Sequence, residues 1–175
     1  MKGITIRGLL ENDVFVKQHF DGIITKETLQ EIKRDQHFVI LNTNEHWTYI
    51  FRSNGTLECF DPLGWQLKNL DIFKHNDFTR DIIQVRISRK QYQPIDSENC
   101  GAYCIYLAYK RLYMIDQPFS DVLSQIFYDS QEKNEQVVLS FCDNLEREKQ
   151  RQTIQETLVS DDDNSDVRSN GDDDA

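Results

Sequence analysis

Cys100 stands in the stretch Q-P-I-D-S-E-N-C-G-A-Y-C at 93–104, followed at once by Gly101 and then by an apolar run with helical spacing. A helix N-terminus presents unpaired N–H groups and a partial positive charge. A thiol placed there ionises more readily, and the thiolate is the nucleophilic form. Gly101 removes a side chain next to the sulfur, so a substrate backbone can approach. The N–H of Cys100 is then free to face a developing oxyanion. The position suits a nucleophile. A lone cysteine is more often a small buried apolar residue. That is how we read Cys59, Cys104 and Cys142, each inside an apolar segment.

A nucleophilic thiol needs a base, and the base needs a group to orient it. The chain has four histidines. His19 lies in VKQHFDG, His37 opens an apolar run, and His75 sits in the polar stretch KHND. His46 lies in NTNEHWTYI, at a loop-to-strand junction of the kind that carries catalytic groups on a rigid scaffold. Trp47 beside it has two readings, the wall of a cleft or plain core. Asp61 follows His46 by fifteen residues. An antiparallel hairpin running out over 47–53 and back over 56–61 would bring the Asp61 carboxylate to the His46 imidazole. On spacing alone, a surface Asp opening an Asp-Pro turn is at least as good a reading.

These residues need elements to hold them. HFVILNT at 37–43, WTYIFRS at 47–53 and TLECF at 56–60 read as strands, with the turn signal SNG joining the second and third. DIIQVRIS at 81–88 reads as a fourth strand, with Ile83, Val85 and Ile87 alternating toward a core. DPLGW at 61–65 breaks the pattern, and a helix or irregular turn is expected through Phe73. The stretch from Cys100 to Ile115 is helix-like, with Cys104, Leu107, Ala108, Arg111, Leu112 and Ile115 near one face. FSDVLSQIFYD predicts a helix capped by Ser120, VVLSFCDNLEREKQRQTIQ predicts the last one, and Thr28 with Glu31 offers a capping box for a helix over 25–35. Strands mid-chain with helices at both ends predict an α+β fold, a mostly antiparallel sheet packed against helices, with the cysteine at the N-terminus of a central helix.

The 175 residues suffice for one domain with a sizeable core. Net charge is −10, and the tail SDDDNSDVRSNGDDDA from Ser160 holds seven Asp and one Arg, −6 of that total. The chain divides into a folded domain over 1–155 and an acidic, disordered tail over 156–175. An acidic body argues against nonspecific nucleic-acid binding. No run is long and apolar enough to cross a membrane, and the opening MKGITIRGLLEND has no signal-peptide core. An intracellular setting follows, cytoplasmic or nuclear, with reduced cysteines. The cysteines lack zinc-ligand spacing, and no metal or other cofactor is expected.

The ordered set NEHW, CFDPLG and QPIDSENCG resembles the adenovirus-type maturation proteases, the adenains. That family also presents HW, then F-(E/D)-P-apolar-G, then a glutamine seven residues ahead of a Cys-Gly that opens a helix. More distantly the set is similar to the SUMO and ubiquitin-like-protein proteases, which share the fold and the His–Asp–Gln–Cys order. The resemblance covers roughly residues 36–112, and proteases of virophages, transposon-like viruses and large DNA viruses show the same pattern. It implies a cysteine endopeptidase in which His46 is the general base, Asp61 its orienter, Cys100 the nucleophile and Gln93 the side-chain donor of the oxyanion hole. Gln91 is the rival for that last role, and Gln93 has the family's spacing to Cys100. The implied substrates are proteins, viral or capsid precursors cut at small or glycine-containing sites, by a monomer that is packaged in virions in the adenovirus case. Adenains are basic and are stimulated by DNA and by a peptide that can form a disulfide with the enzyme. The acidic body and the absence of cysteine around 78–90 argue against both routes here. Two alternatives stand beside this reading: a deSUMOylating or deubiquitinating isopeptidase on the same fold, for which 175 residues leave little added surface, and a silent binding module that keeps the fold. Deleting 160–175 should leave the melting temperature and any peptide hydrolysis unchanged, since the segment adds almost no apolar surface to a core.

Overall fold

The computed structural model describes residues 3–25, 34–43, 46–64 and 81–162. Two short helices, α1 (Gly3–Leu10) and α2 (Val14–His19), lead into strand β1 (Phe20–Ile24). Strands β2 (His37–Asn42), β3 (Trp47–Ser53), β4 (Thr56–Phe60) and β5 (Gln84–Ile87) follow, and helices α3 (Cys100–Tyr113), α4 (Phe119–Ile126) and α5 (Gln131–Asp162) complete the chain. The five strands form one sheet in sequence order. The expected α+β class holds. The two central pairings, β2 with β3 and β3 with β4, are antiparallel, while the edge strands β1 and β5 join parallel to their neighbours.

Period-2 alternation sorts the sheet's side chains onto two faces. Phe38, Ile40, Tyr49, Phe51 and Phe60 face the helices, where Phe38 lies 5.2 Å from Phe20 and 5.4 Å from Tyr49 between ring centroids. Val39, Leu41, Ile50, Leu57 and Cys59 build a smaller aliphatic cluster on the other face. Burial on both faces is why 37–43 and 47–51 read as continuous apolar runs rather than as half-buried strands.

Helix α3 lies against the aromatic face, with α1, α4 and α5 packed around it. All its residues except Lys110 and Tyr113 are buried, so the single apolar face expected from spacing is in fact nearly the whole circumference. Tyr109 at its middle donates to the carbonyl of Leu9 at 3.0 Å and ties it to α1. Arg111 and Glu58, each 3% exposed, are the cost of that enclosure. Arg111 Nε donates to Glu58 Oε2 at 2.6 Å and Nη2 to Oε1 at 3.0 Å, the bidentate geometry of a strong ion pair. The guanidinium also lies 4.9 Å over the Phe51 ring and donates to Met114 O at 2.8 Å.

Several elements depart from the expectations. β5 is shorter than 81–88, and Ile83 and Val85 are exposed rather than core-facing, because the strand is an edge whose alternation meets no covering layer among the described residues; only Ile82 and Ile87 pack on the aliphatic cluster. Ser120 is not a cap. Helix α4 starts two residues earlier than that cap would put it, at Phe119 with Pro118 at the cap position, and Ser120 Oγ lies 3.1 Å from Asp121 Oδ1. Helix α5 starts at Gln131, six residues before the expected Val137, and runs on to Asp162, past the boundary drawn at 155. α1, α2 and β1 were not foreseen. The helix expected over 25–35 and the turn over 65–73 lie largely outside the described residues, as does the tail from 163 on. All four cysteines are buried and unbridged.

Removing one partner of a buried ion pair strands the other charge in the interior. Arg111→Ala should therefore destabilise the fold by about 3–5 kcal/mol in urea denaturation, whereas Arg111→Met combined with Glu58→Leu should recover most of that loss.

Candidate active site

The β3–β4 hairpin closes with Asn54 and Gly55 at φ 50° and 71°, the left-handed pair that a tight two-residue hairpin turn requires. This turn fixes the register, pairing Ser53 with Thr56 and Tyr49 with Phe60. One further step along the ladder puts Asp61 beside the start of β3, and His46 Nε2 lies 2.8 Å from Asp61 Oδ1. The carboxylate is buried and held: Oδ1 also accepts from Leu63 N at 2.9 Å, and Gly64 N donates to Asp61 O at 2.9 Å. Gly64 sits at φ +67°, and a Cβ there would come within 3.1 Å of the backbone at 89–91. Glycine is needed at that point so that the following chain can pass close. The carbonyl of Pro62 then accepts from both Tyr92 N (2.9 Å) and Gln93 N (3.0 Å).

Cys100 is the first residue of α3 and is 4% exposed, deeper than the edge of a cleft. Its thiol lies near enough to the His46 ring to favour the ring's protonated form. With Nε2 given to Asp61, Nδ1 is the nitrogen left for the sulfur. Burial alone would push the His46 pKa down, but Asp61 and Cys100 beside it outweigh it and raise the ring to about 9. The ring is thus a cation at neutral pH, its side chain 24% exposed beside an almost buried carboxylate. Cys59 and Cys104 have thiols pushed well up by burial, and Cys142 is raised to about 12 for the same reason. Those three are inert packing, as expected.

Gln93 is fully buried. Its Nε2 donates to Ser97 O at 2.6 Å, which uses one of its two protons, and its Oε1 has no partner. Gln93 is thus brought between the Pro62 turn and the loop that leads into Cys100, without a hydrogen bond to either His46 or Cys100. Gln91, the rival, is turned toward Gln93 itself: its Nε2 donates to the Gln93 carbonyl at 2.9 Å. Trp47 is 7% exposed and belongs to the core cluster. His19 and His37 lie elsewhere, His19 against Gln36 O at 2.8 Å and His37 against Asp21 at 3.1 Å, while His75 lies outside the described residues. Among the described residues no His, Cys, Asp and Glu group is disposed to hold a metal ion.

Asn134 and Glu135 of α5 were missed by sequence reasoning. Asn134 bonds the Tyr92 carbonyl, and Glu135 bonds Ser97 and Asn99, contacts that span 36 to 42 residues and leave no local signal.

No protein-family model and no curated protein match the chain. Among solved structures the fold is similar to the central domain of the uncharacterized Lpg1148 protein from Legionella pneumophila. The two share 12% identity over 83% of this chain and 97% of that domain, with a TM-score of 0.52. At that identity the likeness is one of fold alone.

The ring's proton is held more tightly in the folded chain than in the unfolded one. Its contribution to stability is therefore complete below pH 6.5 and is lost as pH rises through about 9. Ring nitrogen chemical shifts of His46 should titrate with a midpoint near 9, and Asp61→Asn should move that midpoint down. A wild-type midpoint near 6.5 would show that the pairing with Asp61 and Cys100 does not hold in solution.

Proposed function

We propose that this protein is a cysteine endopeptidase with Cys100 as nucleophile, His46 as general base and acid, and Asp61 as orienter. One observation carries the reading: a single imidazole bonded at 2.8 Å to a buried carboxylate, beside the cysteine that opens a helix. A thiol beside an imidazole that a carboxylate orients is the arrangement a nucleophilic cysteine needs. The sulfur attacks the scissile carbonyl, a C–S bond forms, and the carbonyl π electrons move to oxygen. The second Nε2 proton of Gln93 and the N–H of Cys100 are the donors for that oxyanion. Collapse breaks the C–N bond, and the leaving amine takes the proton from His46. A water then gives His46 a proton and attacks the thioester, which releases the acid and restores Cys100. Asp61 keeps the ring in the tautomer and orientation that both halves require.

The substrate class we propose is a precursor protein cut beside glycine or another small residue, as in a viral or transposon-encoded maturation protease. Support comes from the depth of Cys100, which is 4% exposed. A carbonyl flanked by a bulky side chain meets resistance on its way to so recessed a sulfur.

Cys100→Ala should abolish hydrolysis of a glycine-rich peptide library at a stability cost of about 1 kcal/mol, the usual price of a small core truncation. Cys104→Ala should lose comparable stability yet keep activity per folded molecule. Asp61→Asn should lower the rate at least about tenfold, but less than Cys100→Ala does, since the amide holds the ring without stabilising its charge. A ubiquitin-like electrophilic probe run beside a peptide probe separates an isopeptidase from an endopeptidase. If neither probe labels Cys100 and no peptide is cut, the protease reading fails and a binding module takes its place.

A further inference from the structure

The loop that carries Gln93 into α3 is gripped from one place, the start of α5. Asn134, 1% exposed, donates from Nδ2 to Tyr92 O and to Tyr128 O, each at 3.1 Å, and accepts from Tyr128 N at 2.7 Å. Its neighbour Glu135 takes the other end of the loop. A single oxygen, Oε1, accepts from Ser97 Oγ at 2.5 Å and from Asn99 Nδ2 at 2.7 Å. Ser97 is the residue whose carbonyl receives the Gln93 amide. Asn99 is the cap position of α3, and its side chain makes no cap bond because it is drawn to Glu135 instead. Ser97 Oγ also accepts from Asn99 N at 3.2 Å, which closes the turn just ahead of Cys100.

Gln93 Oε1 is buried without a partner in the protein, and Glu135 also acts on the Tyr103 hydroxyl, raising its pKa. An unpaired buried atom costs free energy. This one belongs to the side chain that bonds Ser97, the residue between the oxyanion-donor candidate and the nucleophile candidate.

We propose that Glu135 is a positioning residue: through Ser97 it sets the Gln93 amide in the geometry that receives the oxyanion. This rests on the protease reading given above. Glu135 itself touches neither substrate nor sulfur. Removing it leaves His46, Asp61 and the thiol in place, so it should weaken only the step that develops charge on a carbonyl oxygen. Displacement of such a donor by about 1 Å costs on the order of 10²-fold in rate.

The test compares two reactions at the same sulfur. Peptide hydrolysis needs oxyanion donors, whereas alkylation by iodoacetamide, a displacement at saturated carbon, does not. Glu135→Ala should lower kcat per titrated Cys100 by about 10–10²-fold with KM little changed, and leave the alkylation rate at each pH as in wild type. Glu135→Gln keeps an oxygen for Ser97 Oγ and Asn99 Nδ2 and should restore most of kcat. Ser97→Ala, which leaves α5 intact, should lower kcat in the same direction if Glu135→Ala folds poorly. Unchanged kcat per site in Glu135→Ala beside normal wild-type hydrolysis overturns the role. So does a parallel fall of hydrolysis and alkylation, which would mark Glu135 as plain support for the helix. Absence of wild-type hydrolysis overturns the protease reading itself, and this role with it.

Discussion

Helix α3 is enclosed on nearly every side, and the rest of the molecule follows from that enclosure. A helix that shows solvent only Lys110 and Tyr113 cannot turn about its axis or slide without opening a cavity in the core. Arg111 is caught inside with it, and a guanidinium in that position must find a carboxylate. Glu58 supplies one from β4, three residues before Asp61. The pair therefore joins the helix that begins at Cys100 to the strand that Asp61 follows. Cys100 lies eleven residues from Arg111, about 16 Å along the axis, so the pin at one end fixes where the other emerges.

The candidate site sits at the margin of that apolar body, and its electrostatics come from the location. His46 is buried enough that its charge would be suppressed, were it not for Asp61 and Cys100 beside it. Asp61 is buried enough that it must be held, and Leu63 N and the His46 ring hold it. Each polar group is met by a neighbour in the protein. The proposed chemistry accordingly depends on backbone turns as much as on the side chains that would perform it. Gly64 is the clearest example, since a Cβ there would strike the chain that delivers Gln93.

What was legible in the sequence was local. The Asn54–Gly55 turn between two β-rich runs encodes its own register, and the register carries His46 to Asp61. The Cys-Gly ahead of an apolar run encodes a helix start, and α3 begins there. The short elements were lost: α2 has six residues and β1 five, too few for a period to emerge, and β1 is interrupted by a bulge between Phe20 and Gly22. Strand direction at the edges is set by connections outside the strands, and Ile83–Val85–Ile87 alternates just as a buried strand would. Asn134 and Glu135 were invisible because a polar pair early in a long charged helix looks like solvated surface until the loop it grips is in place.

The separations of the three triad candidates along the chain also differ, and this bears on how the protein comes into being. Ring and carboxylate are fifteen residues apart within one hairpin; ring and thiol are 54 apart, Cys100 less His46. Closing the longer span costs about 1 kcal/mol more chain entropy, and it also requires α3 to be seated in a finished core. The histidine–aspartate half can assemble as the chain leaves the ribosome, while the cysteine joins only at the end. In a newborn or damaged copy the thiol thus stands apart from His46. On the proposed function, competence arrives only with the completed fold, and an unfolded copy cuts nothing.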